Sequence, residues 1–317
     1  MSEQLTDSFE RLLEELNKVI IGQRPVMEQA LVAFFAGGHI LLEGVPGLAK
    51  TLFAKTLART LSSGFRRIQF TPDLMPSDIL GTNVFDLQSK SFSFVAGPIF
   101  TDVLLADEIN RTPPKTQSAL LEAMEERQIT VDGVAHKLAA HFFVIATQNP
   151  LEYEGTFPLP EAQVDRFLMK IVIRYPQENE EQEILRRYHG GFQLQSPEQL
   201  GVRQVINAET IDATRQSAEA VIVKDEIFRY IVQIVQATRT STRLTLGASP
   251  RASLALLRAA KVLAALRGRD FVTPDDIKEV APPILRHRLI LKPEAEIEGH
   301  NADSMIAHVL GEVPVPR

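Results

Sequence analysis

The stretch HILLEGVPGLAKTLFAKTLARTL, residues 39–61, decides the fold. It runs from an apolar segment, His39–Glu43, through Gly44-Val45-Pro46-Gly47-Leu48-Ala49-Lys50-Thr51, into a helical pattern, Ala49–Leu61, with Phe53, Leu57 and Leu61 on one face. A strand that turns through glycines into a helix is the setting of a phosphate-binding loop. Glycine lets backbone N–H groups approach phosphate oxygens, and the helix N-terminus adds a favourable dipole. Lys50 is suited to reach the β- and γ-phosphates, and the Thr51 hydroxyl to ligate Mg²⁺, which takes few protein ligands and keeps several waters. The general pattern has Gly before the Lys. Here Ala49 stands there, and the expectation is a mild substitution, one methyl in a backbone of ordinary helical dihedrals.

Outward from this loop the first half alternates apolar runs with helical patterns, which reads as α/β. Four more runs read as buried strands: Arg67–Phe70, Asp102–Asp107, Phe142–Thr147 and Met169–Arg174. The runs VLLA (103–106) and FFVIA (142–146) are apolar without alternation, as in strands covered on both faces of a parallel sheet. Phe9, Leu12, Leu13, Leu16 and Ile20 recur at helical spacing. Gly81–Phe94, around a polar Gln88-Ser89-Lys90 tip, and Arg127–His141, with the turn pair Asp132-Gly133, read as inserted hairpins or as plain connecting loops. The second half is helical: Glu178–His189, Ala208–Val221, Asp225–Thr238, Pro250–Arg267 and Pro274–His287, the last opened by an N-cap Thr273, Pro274 and two acids. The boundary falls near Tyr175–Asn179, giving 1–178 and 179–317.

Two acids, Asp107 and Glu108, end the run TDVLLADE (101–108), at the strand end where open α/β sheets bind ligands. Asp107 is suited to hold a hydrated Mg²⁺ and Glu108 to polarise an attacking water; alone, the pair also reads as a solvated acidic loop. Asn149, after ATQ (146–148), is suited to orient water or contact a γ-phosphate, or is a turn residue before Pro150. Ser249 and Pro250 start a helix with Arg251 in its first turn, a place unfavourable for a cation unless it seeks phosphate. The alternative is a surface ion pair.

Composition narrows the classes. The 317 residues include no cysteine, which removes disulfides, thiolate zinc sites, Fe–S clusters and a cysteine nucleophile. The seven histidines show no metal spacing. No segment reaches the length of a membrane span, and the acidic, amphipathic N-terminus is unlike a signal peptide, so a cytoplasmic location is expected. The net charge is −6, with 16 basic and 22 acidic residues in 1–179 and 18 of each in 180–317. A nucleic-acid translocase usually carries a basic excess. This chain has none, which argues against nucleic acid and for a protein client.

The loop GVPGLAKT (44–51), VLLADEINR (103–111), VIATQNP (144–150), LPEAQVDRFLM (159–169), IQFTPDLMPSDILG (68–81) and GASPRA (247–252) together resemble the MoxR family of AAA+ ATPases, over nearly the whole chain. The resemblance implies an αβα core with a parallel five-stranded sheet, two β-hairpin inserts (helix-2 and pre-sensor-1) and an all-α lid. It places Lys50 and Thr51 in Walker A, Asp107 and Glu108 in Walker B, Asn149 at sensor 1, Arg166 at the arginine finger and Arg251 at sensor 2. Arg166 follows Asp165, so a local ion pair competes with action in a neighbouring subunit. Which of the two arginines acts across an interface stays open. Ile21 and Gly22, in VIIGQ (19–23), match the base-contacting segment; a helix C-cap glycine is the equal alternative. His136 and Lys137 lie on the hairpin that faces the pore in related rings, or are simply solvated. The implied activity is Mg²⁺-dependent ATP hydrolysis by a hexameric, chaperone-like motor with a von Willebrand factor A domain partner, in maturation or metal insertion. The rivals are a nucleic-acid translocase, a metal-chelatase motor subunit and a non-enzymatic scaffold. The missing GAFTGA loop disfavours sigma-factor-dependent activators.

Overall fold

In the computed structural model, residues 2–88, 90–150, 155–190, 197 and 199–316 are described. The chain opens with α1 (Ser2–Asn17) and α2 (Arg24–Phe35), then β1 (Ile40–Glu43), α3 (Lys50–Thr60), β2 (Phe65–Gln69) and α4 (Pro76–Leu80). A hairpin, β3 (Gly81–Asp86) and β4 (Ser91–Ala96), precedes β5 (Val103–Asp107) and α5 (Pro114–Glu126). A second hairpin, β6 (Gln128–Val131) and β7 (Val134–Lys137), leads to β8 (Phe143–Gln148), α6 (Glu161–Val164) and β9 (Met169–Val172). The helical half holds α7 (Glu178–His189), α8 (Ala208–Glu219), α9 (Asp225–Thr240), β10 (Leu244–Leu246), α10 (Pro250–Leu266), α11 (Pro274–Leu285), β11 (Ile290–Leu291), α12 (Pro293–Ile297) and α13 (Ala302–Glu312).

Five strands form one parallel sheet in the order β2-β5-β8-β1-β9. Every residue of β5 is buried, which explains its unbroken apolar run. β2 departs from expectation: it starts at Phe65, ends at Gln69, and buries only Ile68, because it is an edge strand. The register pairs Gln69 with Asp107 and Glu43 with Gln148, so the ends of β2, β5, β8 and β1 meet beside the loop that enters α3.

The two hairpins form as expected, with Asp132 (φ 49°) and Gly133 (φ 80°) making the tight turn of the second; Ser89, at the tip of the first, lies outside the described residues. They brace one another. Asn83 donates to the Asp132 carboxylate at 2.6 Å, and the His136 ring stacks on Phe94 at 4.0 Å. His136 is therefore a half-buried packing residue, while Lys137 is exposed.

The helical half packs back on the sheet layer. Side chains of α1, α2, β1 and β9 share one apolar cluster with α8, α9, α10, α11 and α13, and a second cluster fills the other face between the sheet and α5. Arg286 bridges Asp303 (2.9 Å) and the Lys170 carbonyl (3.0 Å), and buried Arg288 pairs with Asp165 at 2.5 Å. Among the described residues no helix is long and apolar enough to cross a membrane.

Candidate active site

The loop from Gly44 to Ala49 joins β1 to α3 as anticipated. A Cβ on Gly44 would lie 3.1 Å from the Ile173 carbonyl, so the close approach of the residue that follows β9 favours glycine there. Gly47 has φ 88°. Ala49 overturns the expectation of helical dihedrals: it sits at φ 56°, ψ 25°, left-handed, as the N-cap of α3. An L-residue in that region costs roughly 1–2 kcal/mol, which is why glycine is the usual choice. The first-turn N–H groups of α3 have no carbonyl behind them in the helix and are available to an anion. Lys50 donates to the Gly44 carbonyl and, at 3.5 Å, to that of Val45, so its ammonium is folded over the loop.

Across a cavity of about 430 Å³ from Lys50 and Thr51 stand Asp107, Glu108 and Asn149, all lining the same space. Asp107 is buried, and its Oδ1 accepts a 2.6 Å hydrogen bond from the Thr147 hydroxyl. Its Oδ2 accepts from Arg67 Nε (3.0 Å) and Nη2 (2.7 Å). Glu108 also has left-handed dihedrals (φ 58°, ψ 51°), and its N–H donates to Thr147 Oγ1 at 2.8 Å. Its Oε2 accepts from Gln69 at 2.7 Å and lies 3.2 Å from Arg111 Nε. The acids are thus held by named partners, not loosely solvated. The Thr51 hydroxyl and the Asp107 carboxylate are hard oxygen donors on one cavity, a set that fits Mg²⁺, and Arg67 now provides the positive charge beside Asp107.

Sequence reasoning missed Arg67, Gln69 and Thr147, and also Lys55, which lines the cavity. Arg67 and Gln69 are two apart on an edge strand and so share a face; that spacing was the available signal.

A second, mostly apolar pocket of about 240 Å³ adjoins the loop and shares Gly47, Leu48, Ala49 and Leu52 with the first. Ile21 lines it together with Ile184, Leu185 and Tyr188 of α7, residues that sequence reasoning had not singled out. Gly22 is not among its lining residues. It has φ 74° and lies against Glu180, whose carboxylate a Cβ would meet at 2.2 Å and whose Oε2 accepts from the Gln177 N–H at 2.7 Å.

The comparisons with known proteins agree with this arrangement. A family model for ATPases associated with various cellular activities (AAA) matches residues 39–169, and an AAA lid model matches 236–309. YeaC of Bacillus subtilis is 46% identical over 99% of this chain and 97% of its own length. Chaperone MoxR1 of Mycobacterium tuberculosis is 43% identical over 98% of this chain and 83% of its own. The chain belongs to the MoxR family of AAA+ ATPases. A crystal structure of a candidate ATPase from Cytophaga hutchinsonii, 42% identical, superposes with a TM-score of 0.90 over the whole chain and 97% of that one.

In this MoxR-family chain the two arginines are grouped with each other and not with Lys50. Arg251 follows Ser249 and Pro250 in the first turn of α10, as expected, although the Ser249 side chain makes no cap. Glu125, near the end of α5, accepts from Arg251 Nη2 at 2.8 Å and pairs with Arg166 Nε at 3.1 Å. Asp165 is not the partner of Arg166; it holds Arg288. Arg166, Arg251 and Glu125 line a pocket that has no lining residue in common with the cavity of the phosphate loop. Within one chain Arg251 thus stands with Arg166 and Glu125, apart from Lys50 and Thr51. The reason is tertiary: α10 packs on α1, α2 and α8, which carries its N-terminus to the Glu125 side.

Proposed function

We propose that the chain hydrolyses ATP to ADP and phosphate in a ring of identical copies, a hexamer on family grounds, and uses the cycle to remodel a protein client. The observation that carries this reading is the separation of Arg166 and Arg251 from the cavity of Lys50, Thr51, Asp107, Glu108 and Asn149. A second copy supplying its arginine face completes the site.

In this reading the apolar pocket with Ile21 and Tyr188 receives the base. The loop N–H groups and Lys50 take the phosphates, Lys50 leaving the Gly44 carbonyl to do so. Thr51 and Asp107 hold Mg²⁺, which when bound neutralises charge on the phosphate oxygens. Glu108 orients water and accepts its proton, once Gln69 and Arg111 release the carboxylate oxygen they hold. Asn149 positions that water. Arg166 of the neighbouring copy stabilises charge developing at the γ-phosphate, an effect on the order of 10³–10⁵-fold where a GTPase receives its arginine in trans.

The lid, taken from residue 179, shares a continuous apolar cluster with α1, α2 and β9 of its own chain. That supports motion between neighbouring copies more than a free hinge within one. A cytoplasmic setting, a protein client and a von Willebrand factor A domain partner for maturation or metal insertion complete the proposal; the chaperone name of the mycobacterial relative and the absent basic excess support it.

The test is complementation. Lys50→Ala chains lose the phosphate cation and Arg166→Ala chains lose the trans cation, so each alone is inactive. Mixed, they form interfaces where an intact loop meets an intact arginine, and part of the ATPase activity returns. If mixtures stay inactive while both chains still co-assemble, the arginine does not act in trans.

A further inference from the structure

Helix α2 ends in three carbonyls that attract an unusual concentration of charge. Arg127, at the end of α5, donates from Nη2 to the Gly37 carbonyl at 2.6 Å and from Nη1 to that of Phe142 at 3.5 Å. Arg215 of α8 donates to the Phe34 carbonyl at 3.0 Å, and its guanidinium carbon lies 5.4 Å from the centre of the Phe34 ring. Arg258 of α10 donates to the Ala36 carbonyl through a part-buried bond, although the residue as a whole is exposed. A cation at a helix C-terminus is favourable, but the helix end carries only about half a negative charge. One arginine answers it; three exceed it.

Carboxylates do not make up the difference. Elsewhere in the chain Arg269, Arg286 and Arg288 each pair with an aspartate. Among the described residues, Arg127, Arg215 and Arg258 form no such pair. The nearby Asp212 is taken by His141 at 2.8 Å. Partial burial pulls all three guanidinium groups below their usual value; the charge of Arg258 lowers Arg127 further, and Arg127 and then Arg258 lower Arg215, against a partial opposing pull from Asp212. Arg215 Nε is buried without an acceptor.

The three arginines front a cavity of about 490 Å³ together with Lys261, whose ammonium donates to the Glu219 carbonyl oxygen at 2.7 Å. Phe35, Ala218 and Val262 form apolar wall, and among the described residues the exposed Glu219 is the single acid lining it. Four cations against one rim carboxylate leave a surplus of about three positive charges. A single carboxylate matches one of these. A phosphate chain carries three or more charges, and planar guanidinium forks bind its oxygens in pairs.

We propose that this cavity, formed between α2, α8 and α10, is a second anion site that binds a small ligand bearing a phosphate chain, apart from the phosphate loop. It shares Gly37, Arg127 and Arg258 with the pocket of Arg166 and Arg251, so an occupant sits beside the arginine face.

The experiment uses the full chain carrying Lys50→Ala, which disables the phosphate loop, titrated calorimetrically with inorganic tripolyphosphate at two salt concentrations. One saturable, salt-sensitive site per chain is expected. Lys261→Ala in the same background weakens it about five- to tenfold. Ala140→Glu, a tethered carboxylate from an exposed wall position, abolishes it while leaving the melting temperature unchanged or raised. No saturable binding, or binding indifferent to both substitutions, reduces the arginines to braces of the α2 end and overturns the proposal. Tighter binding of a glutamate-rich peptide than of tripolyphosphate, lost in the same variants, overturns the phosphate assignment in favour of a protein ligand.

Discussion

Ala49→Gly is expected to stabilise this chain, the opposite of what an alanine-to-glycine change does in a helix. Ala49 holds φ 56°, ψ 25°, where an L-residue pays roughly 1–2 kcal/mol and glycine nothing comparable. The side chain is exposed, so removing its methyl opens no cavity and forfeits little apolar burial. Against the gain stands the greater freedom of glycine in the unfolded chain, about 0.4–1 kcal/mol. The balance is about 0.5–1 kcal/mol in favour of the variant. With an unfolding entropy near 2.1 cal/mol/K per residue, 317 residues give about 0.7 kcal/mol/K, so the melting temperature rises by about 1 °C. Scanning calorimetry without nucleotide, checked by urea denaturation, resolves this best against an internal contrast. Ala213 is an exposed residue inside α8, and Ala213→Gly should lower stability by about 0.5–1 kcal/mol. Two substitutions of identical chemistry thus move in opposite directions. If Ala49→Gly falls by as much as Ala213→Gly, residue 49 is not left-handed and the strain argument fails.

Three further outcomes are expected. Glu108→Gln keeps ATP affinity, since the loop and Lys50 are untouched, but loses turnover on the order of 10²–10⁴-fold because an amide accepts no proton; equilibrium binding and phosphate release measure the two sides, and near-normal turnover removes Glu108 from the chemistry. Arg67→Ala frees Asp107 Oδ2 from its competing cation; with Arg67 half-exposed to solvent the pair is worth about 1 kcal/mol, so the Mg²⁺ concentration for half-maximal activity falls by up to about fivefold, and a rise instead marks Arg67 as a support of the metal site. His39 is buried and neutral, accepting from the Val144 N–H at 3.0 Å and facing the Met124 carbonyl at 3.2 Å, with its pKa lowered to about 3 by burial and then by Arg127. Its folded value lies below the unfolded 6.5, so its contribution is full above 6.5 and lost as pH falls toward 3, about 2 kcal/mol between pH 7 and 5; His39→Gln should flatten that part of the stability–pH curve in urea titrations, and an unchanged slope assigns the acid sensitivity elsewhere.

What could be read in advance follows from how each element is buried. β5 and β8 are covered on both faces, so their apolar runs declared a parallel sheet, and the glycines after β1 declared the turn into α3. α2 was invisible for the same reason that β5 was plain. It is apolar nearly all round, with Val26, Met27, Ala30, Leu31, Val32, Ala33 and Phe34 buried, so no 3.6-residue contrast marks it. α5 and α13 escaped notice as well, the latter in a tail that ends in prolines. β2 erred in the other direction: an edge strand carries Arg67 and Gln69 on one face, polar residues that read as surface until the register sets Gln69 beside Asp107.

The arginines mark a different limit. Local sequence correctly put Arg251 in the first turn of a helix, and the chemistry of that position correctly asked for an anion. It could not say which anion, because that depends on where α10 docks. Glu125 is the anion the fold supplies, and it binds Arg166 at the same time. One carboxylate shared by two guanidinium groups leaves net positive charge on that face. By contrast Asp165, adjacent in sequence to Arg166, is committed to buried Arg288 and ties the end of α6 to the strand of residues after α11. The two acids nearest these arginines thus divide the work. Asp165 fastens the lid to its own core, and Glu125 keeps the arginine pair ordered without neutralising it, which on the function proposed above leaves that face able to meet a neighbouring copy's nucleotide.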